Sequence, residues 1–221
     1  QLEEQPNAVI CLNTALERDI TLDELARDND AVFLATGAER PVELNLPGRE
    51  LAQVVQARDY LTHPETYSGK RVLVIGGVNT AIDAARTAVR ENADSVTLVY
   101  RRSEDEMPAD KMEVAEAKEE GVKFLFLNAP AEIIGEDGKV KALKVEVMEL
   151  GEPDEKGRRK PVGTGKFETI PATAVISAIG QKIDLSGIAD FKTEKNGTVI
   201  VTMPSYQTSI PDVFAGGDVV T

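Results

Sequence analysis

Arg71-Val72-Leu73-Val74-Ile75-Gly76-Gly77-Val78-Asn79-Thr80-Ala81 is the stretch that decides the fold. Its first five residues form an apolar run too short for a helix, which reads as a buried strand. The run enters two glycines directly, and beyond them Ile82, Ala85, Ala88 and Val89 recur at helical spacing. A strand, a glycine turn and a helix in that order open a parallel βαβ unit. Ser95 to Tyr100 follows as the next strand, with Arg101-Arg102 at its carboxyl end. Met107-Pro108-Ala109 then leads into a charged helix from about Asp110 to Glu120, and Val122 to Leu127 reads as a third strand. The pattern predicts an α/β fold with a Rossmann-like parallel sheet.

Working outward, the period changes to two after Ala131. Lys139 to Val147 alternate just beyond Asp137-Gly138, a favoured hairpin dipeptide, so an antiparallel β-meander should pack on the parallel unit. Gly151 to Lys166 reads as an exposed hairpin loop, and Ala172 to Gly180 as a buried strand ending on a glycine. Toward the start, Asn7 to Leu12 reads as a buried strand. Thr21-Leu22-Asp23-Glu24 supplies a capping box for a helix running to about Asp28. Ala31 to Ala35 reads as a buried strand ending at Thr36-Gly37, Pro41 to Gly48 as a connection, and Glu50 to Leu61 as a helix closed by His63-Pro64. In the tail, Thr198 to Val201 and then Pro211 to Asp218 read as two more short strands, the second carrying the glycine–acid turn Gly216-Gly217-Asp218.

With 42% hydrophobic and 29% charged side chains, 221 residues can bury a core. Twenty-five basic against 38 acidic residues give a net charge of −13, a field that repels nucleic acid and anionic lipid. No apolar run approaches the roughly 20 residues that span a bilayer, and Gln1-Leu2-Glu3-Glu4-Gln5 lacks the basic-then-apolar layout of a signal peptide. The expectation is a cytoplasmic protein with neither nucleic-acid nor membrane partners. Cys11 is the one cysteine, so these residues contain no disulfide, no CxxC pair and no four-thiolate cluster. Its apolar setting, Ala8 to Leu12, suggests a small buried side chain. His63 is also alone, and no metal site is expected.

The chemistry lies in the glycine turn and the arginine pair. Helix amides and the macrodipole point at such a turn, and glycines let phosphate approach the backbone. The spacing nearly fits the dinucleotide fingerprint G-x-G-x-x-G/A: Gly76 takes the first position and Ala81 the third, but Val78 stands at the second, where glycine normally clears space for a pyrophosphate. The alternative is a tight structural turn. At the tip of the second strand a free 2′-hydroxyl usually meets an acid, whereas a 2′-phosphate needs a cation. Arg101 and Arg102 stand there, which favours NADP(H). The competing reading is a solvated pair neutralised by Glu104, Asp105 and Glu106. Ala35-Thr36-Gly37, Ala178-Ile179-Gly180 and Gly216-Gly217-Asp218 each finish an apolar strand with small residues, as backbone lying close to a flat or phosphorylated ligand requires.

Taken together, Ala31 to Ala38, Val74 to Arg86, Tyr100 to Ala109 and Val213 to Val219 resemble the small-subunit (β chain) family of NADPH-dependent glutamate synthase. That family lies within the two-dinucleotide flavoprotein oxidoreductases, which include dihydropyrimidine dehydrogenase and adrenodoxin reductase. The resemblance implies an NADPH site at Gly76, Gly77, Val78, Asn79, Thr80, Ala81, Arg101 and Arg102, with Ala178, Ile179 and Gly180 lining the cleft. It places Ala35, Thr36, Gly37, Gly217 and Asp218 in an FAD domain, the acid near the ribityl–pyrophosphate portion of the flavin. Hydride would pass from NADPH to FAD and electrons onward to iron–sulfur clusters or a large partner subunit, with no side chain acting as a catalytic acid or base. The family's turn usually reads Gly-Gly-Gly followed by Asn or Asp, so Val78 is a departure. The family's cysteine-rich leader, first-strand FAD fingerprint and closing helix have no counterpart in these residues, so a fragment is expected. Its parts would be 1–68 as a partial FAD domain and linker, 69–180 as the NAD(P)H domain, and 181–221 as return strands of the FAD domain. A disulfide-reductase segment and a non-catalytic nucleotide-binding scaffold are the alternatives.

Overall fold

The computed structural model describes residues 7–153, 157, 159–188 and 190–220. The chain forms two compact units, one from the residues up to Arg40 together with those from Gln181, the other Pro41–Gly180. In chain order the first strip supplies α1 (Leu22–Asp28), β1 (Val32–Leu34) and β2 (Arg40–Pro41). Then come β3 (Val54–Gln56), α2 (Ala57–Thr62), β4 (Arg71–Gly76), α3 (Asn79–Arg90), β5 (Ser95–Tyr100), α4 (Lys111–Glu119) and β6 (Lys123–Phe126). The meander strands β7 (Asn128–Glu136), β8 (Lys139–Pro153) and β9 (Arg159–Pro171) precede β10 (Ala174–Ala178), and the return strip supplies β11 (Gln181–Lys182) and β12 (Val213–Ala215).

In Pro41–Gly180 a five-stranded parallel sheet has the order β3-β10-β4-β5-β6, and β7-β8-β9 form a separate antiparallel sheet. The apolar run of β4 is explained by burial on both faces. Val72 and Val74, with Val96, Leu98 and Ile176 of neighbouring strands, pack against Ala81, Ile82, Ala85 and Ala88 of α3. Leu73, Ile75, Val99 and Val175 face the other way, toward Ile133, Leu143 and Val145 of the meander. The sheet is thus the middle of three layers. On the helical side Arg86 pairs with Glu116 at 2.9 Å and Glu120 at 2.7 Å, and Arg90 with Glu120 at 2.9 Å, tying α3 to the end of α4. The Arg86 guanidinium, more than any other group, holds the Glu120 carboxyl down at about 2.

In the other unit, β1 and β12 pair in parallel through Val32↔Val213 and Leu34↔Ala215, over a core of Leu22, Val199 and Val219. The capping box is present: Thr21 Oγ1 accepts from the Glu24 amide at 3.2 Å, and Glu24 Oε2 accepts from the Thr21 amide at 2.9 Å.

Several expectations need correction. Asn7 to Leu12 is no strand. It pairs with no described strand, Val9 and Leu12 are 87% and 76% exposed, and Cys11 is exposed rather than buried. The segment Glu50 to Leu61 is divided, because β-branched Val54 and Val55 add a parallel edge strand to β10 and the helix starts only at Ala57. Gly151 to Lys166 is mostly ladder: β8 runs to Pro153 and β9 starts at Arg159, and within the expected loop 154–156 and 158 lie outside the described residues. Thr198 to Val201 makes a single bridge, Thr193↔Val199, rather than a strand. β1 is half-buried, with Phe33 at 63% exposure. The segment Pro41 to Ser68 packs within the second unit, where Ala57, Tyr60 and Tyr67 join the helix-side core.

Candidate functional site

The site forms where β4, β5 and β10 end. Gly76 has φ +154°, and a Cβ there would lie 2.2 Å from the Ala178 carbonyl oxygen of β10. Gly77 is buried, and its Cβ would meet the Tyr100 ring at 2.3 Å. Both glycines are therefore demanded by strand and ring packing before any ligand is considered. Val78 sits at φ −97°, ψ 169°, an ordinary extended backbone, and is the N-cap of α3. No side chain caps this helix and its first turn holds no acid, which leaves the positive end of a twelve-residue helix open.

Arg101 and Arg102 follow β5 on a loop that returns to the glycine turn. The Ala109 amide donates to Gly77 O at 3.1 Å, and the Asp110 amide to Asn79 Oδ1 at 2.9 Å. Asp110 in turn caps α4, its Oδ1 accepting from the Met112 amide at 2.7 Å. The Tyr100 hydroxyl donates to Glu106 O at 3.1 Å. Arg102 is pinned from the other side: its carbonyl accepts from the Leu127 amide at 3.0 Å, and the Leu127 carbonyl accepts from Met148 at 2.8 Å. Leu127 holds φ +56°, an uncommon value for leucine that these two bonds over-determine.

Two of the three acids beside the arginines, Glu104 and Glu106, are engaged elsewhere. Glu104 pairs with Lys118 at 2.5 Å. The Glu106 carboxylate accepts from the Arg159 amide at 3.2 Å and from Ser103 Oγ at 3.4 Å. Among the described residues neither Arg101 nor Arg102 forms an ion pair, and the buried Nε of Arg102 has no hydrogen-bond partner. Neutralisation by Glu104 or Glu106 is not seen among the described residues, while Arg101 is exposed and Arg102 half-buried.

These groups enclose one cavity of about 520 Å³. Gly76, Gly77 and Val78 line it from the turn, Arg101 and Arg102 from the next strand, and Ala178 and Ile179 from β10. Asn79, Thr80, Ala81 and Gly180 are not in its lining. Ala81 is fully buried on the core-facing side of α3, the Asn79 side chain is turned to Asp110, and the Gly180 carbonyl accepts from the Val42 amide at 3.0 Å. The cavity also takes in Val42, Leu44, Val99, Tyr100, Ala129 and Pro130, which sequence reasoning did not select. The alternation of Val42 and Leu44 across Glu43 was a usable signal; Ala129-Pro130 carried none. In the other unit, Ala35-Thr36-Gly37 and Gly217-Asp218 follow β1 and β12 at adjacent carboxyl ends, joined by the Gly216 amide donating to Leu34 O at 3.1 Å. Gly37 and Gly217 have φ +69° and +74°, and Asp218 is exposed. No group of three metal-capable side chains, and no helix long and apolar enough to cross a membrane, occurs among the described residues.

A model of the pyridine nucleotide-disulphide oxidoreductase family matches residues 10–221. The chain belongs to that family. Its relatives within or around the family bear out the resemblance to glutamate synthase small chains. It is 40% identical over 98% of its length to the glutamate synthase [NADPH] small chain of Halomonas elongata, covering 50% of that protein. It is 43% identical over 96% of its length to the NADP(+)-dependent formate dehydrogenase subunit beta of Moorella thermoacetica, covering 31% of it. The chain thus spans half or less of the length of these two relatives. Among solved structures, Mycobacterium tuberculosis FprA in complex with NADPH shares the fold of this chain at a TM-score of 0.77 and 21% identity, with 94% of this chain and 62% of that one aligned. Lactococcus lactis thioredoxin reductase aligns at a TM-score of 0.68 and 27% identity, over 86% of this chain and 57% of its own.

Proposed function

We propose that the Pro41–Gly180 unit binds NADPH and serves a flavin-dependent oxidoreductase in the cytoplasm, as part of a longer protein. Arg101 and Arg102 hold the 2′-phosphate, the open end of α3 with Gly76 and Gly77 receives the pyrophosphate, and Ala178 to Gly180 border the cleft. The observation that carries this reading is that two arginines, without ion pairs among the described residues, line one cavity together with the N-cap of a helix that no side chain caps. Both are donors suited to phosphate, and about 520 Å³ is within the usual range for small-molecule sites. Backbone at Gly37 and Gly217 is free of side-chain bulk and Asp218 is exposed, so the β1 and β12 ends suit part of an FAD site.

Hydride transfer is the chemistry that nicotinamide and flavin supply when bound. The residues of this chain bind and orient, and none is assigned acid–base work. Electrons leave toward iron–sulfur clusters or a large partner subunit; the names of two relatives, a small chain and a subunit beta, make those proteins parts of multi-subunit enzymes. With a single cysteine in 221 residues, no disulfide-reducing pair is assigned. Calorimetric titration tests the proposal. Saturable NADPH binding, weakened by 2–4 kcal/mol in R101A/R102A while NADH is nearly unaffected, is the expected outcome, at roughly 1.5–3 kcal/mol per charge-assisted bond. Equal losses for both nucleotides, or no NADPH binding at millimolar concentration, refute it.

A further inference from the structure

The glycine turn and the arginine loop come from different strands, yet a 2′-phosphate and a pyrophosphate belong to one molecule. Discrimination between phosphorylated and plain dinucleotide then depends on how firmly the distance between the two loops is held. Backbone bonds tie the far end of the loop to the turn, through Ala109 to Gly77 O and Asp110 to Asn79 Oδ1. The stretch nearest the arginines needs its own brace, and a single side chain supplies it. Tyr100 is 9% exposed and precedes Arg101 directly. Its ring lies so close over Gly77 that any Cβ there would fall 2.3 Å from Cε2, and its hydroxyl reaches forward to Glu106 O at 3.1 Å.

Glu106 is the node of this loop. Its carbonyl takes the tyrosine hydroxyl, while its carboxylate takes the Arg159 amide from β9 and the Ser103 hydroxyl. Both donors to that carboxylate are neutral, so anchoring the loop consumes no arginine charge. Arg101 and Arg102 lie inside the arc that Tyr100 closes and line the cavity, with no ion pair among the described residues.

Resting on the NADPH reading, we infer that Tyr100 is a positioning residue for nucleotide discrimination: its hydroxyl fixes the arginine loop against the glycine turn, and thereby sets the preference for the 2′-phosphorylated dinucleotide. Tyr100 acts through Arg101 and Arg102 and need not touch the nucleotide.

Tyr100→Phe removes the hydroxyl and keeps the ring over Gly77, so the fold is preserved and a thermal melt verifies it. Losing one neutral hydrogen bond should weaken NADPH binding roughly three- to tenfold. NADH binding should change less than about twofold. In the R101A/R102A background the same substitution should produce no additional NADPH loss, because the groups it positions are gone. Equal weakening of both nucleotides, an undiminished effect without the arginines, or unchanged NADPH affinity overturns the inference. If R101A/R102A loses NADPH selectively and Y100F does not, only the role of Tyr100 falls. If the unaltered chain binds no NADPH, the functional reading falls with it.

Discussion

Replacing Gly76 by alanine separates what the turn needs for folding from what it offers a phosphate. The added Cβ would lie 2.2 Å from Ala178 O and 2.9 Å from Ala178 C, atoms of a neighbouring strand that cannot rotate away. Relief requires β4 and β10 to part by about 1 Å where Ala178 pairs with Gly76, which breaks ladder hydrogen bonds worth roughly 0.5–1.5 kcal/mol each. The φ of +154° adds about 1–3 kcal/mol for a residue with a Cβ. With two bonds lost, the cost is roughly 2–6 kcal/mol, or a fall in Tm on the order of 10 °C. Gly180→Ala is the control, since its φ is +117° but nothing lies within 4 Å of the new Cβ, so only the backbone term of about 1–3 kcal/mol applies. Melting curves followed by far-ultraviolet circular dichroism give both values. If G76A melts within about 2 °C of the unaltered chain, or falls less than G180A, the packing explanation for this glycine is wrong.

Glu120→Gln should cost roughly 1–2 kcal/mol by loosening the α3–α4 clamp. Because the folded carboxyl titrates at about 2 against an ordinary 4.5, the stabilisation should be fully present above about pH 4.5 and fade as the pH falls toward 2, in acid-denaturation curves that E120Q flattens. Tyr60→Phe should leave stability unchanged or slightly raised, since the Tyr60 hydroxyl is buried without a partner and the ring keeps its stack on Tyr67 at 5.1 Å; a loss above about 1 kcal/mol in urea titration would contradict this. Val78→Gly should tighten NADPH by up to roughly tenfold if the exposed side chain crowds the pyrophosphate, and an unchanged dissociation constant would mean that it points away.

How much of the fold could be read in advance follows from where each pattern found its partner. β4 through β6 were legible because both faces of every strand are covered within Pro41–Gly180, so the apolar runs mean what they look like. Asn7 to Leu12 has the same apolar look, but no described strand pairs with it and the run is exposed. Hydrophobicity reports a need for burial; it does not say which surface meets it. β3 was hidden for a different reason: Val54-Val55-Gln56 is three residues long, and so short an edge strand leaves no period to detect before α2 begins. The length of the β8–β9 hairpin was masked by its composition, since Gly163, Gly165 and Pro161 look like loop yet occupy an exposed edge strand, where such residues are tolerated.

The site was legible as residues and illegible as geometry. Gly76, Gly77, Arg101 and Arg102 were chosen for phosphate chemistry, but the two glycines serve the carbonyl of Ala178 and the ring of Tyr100 first. A Gly-Gly pair after a strand is thus weak evidence of a ligand on its own, because sheet packing alone accounts for it. The arginines carry the greater weight, and for a reason no linear pattern contains. Three acids follow them within four positions, which in sequence looks like neutralisation. Folding sends Glu104 to Lys118 and Glu106 to the Arg159 amide and Ser103, so two of the three nearby negative charges are occupied in holding the loop. In a chain of net charge −13, Arg101 and Arg102 line a cavity without a carboxylate partner among the described residues, while Glu104 and Glu106 are held by other contacts. Lys118 and the β9 strand therefore belong to the same functional argument as the arginines, since removing either frees an acid to pair with them.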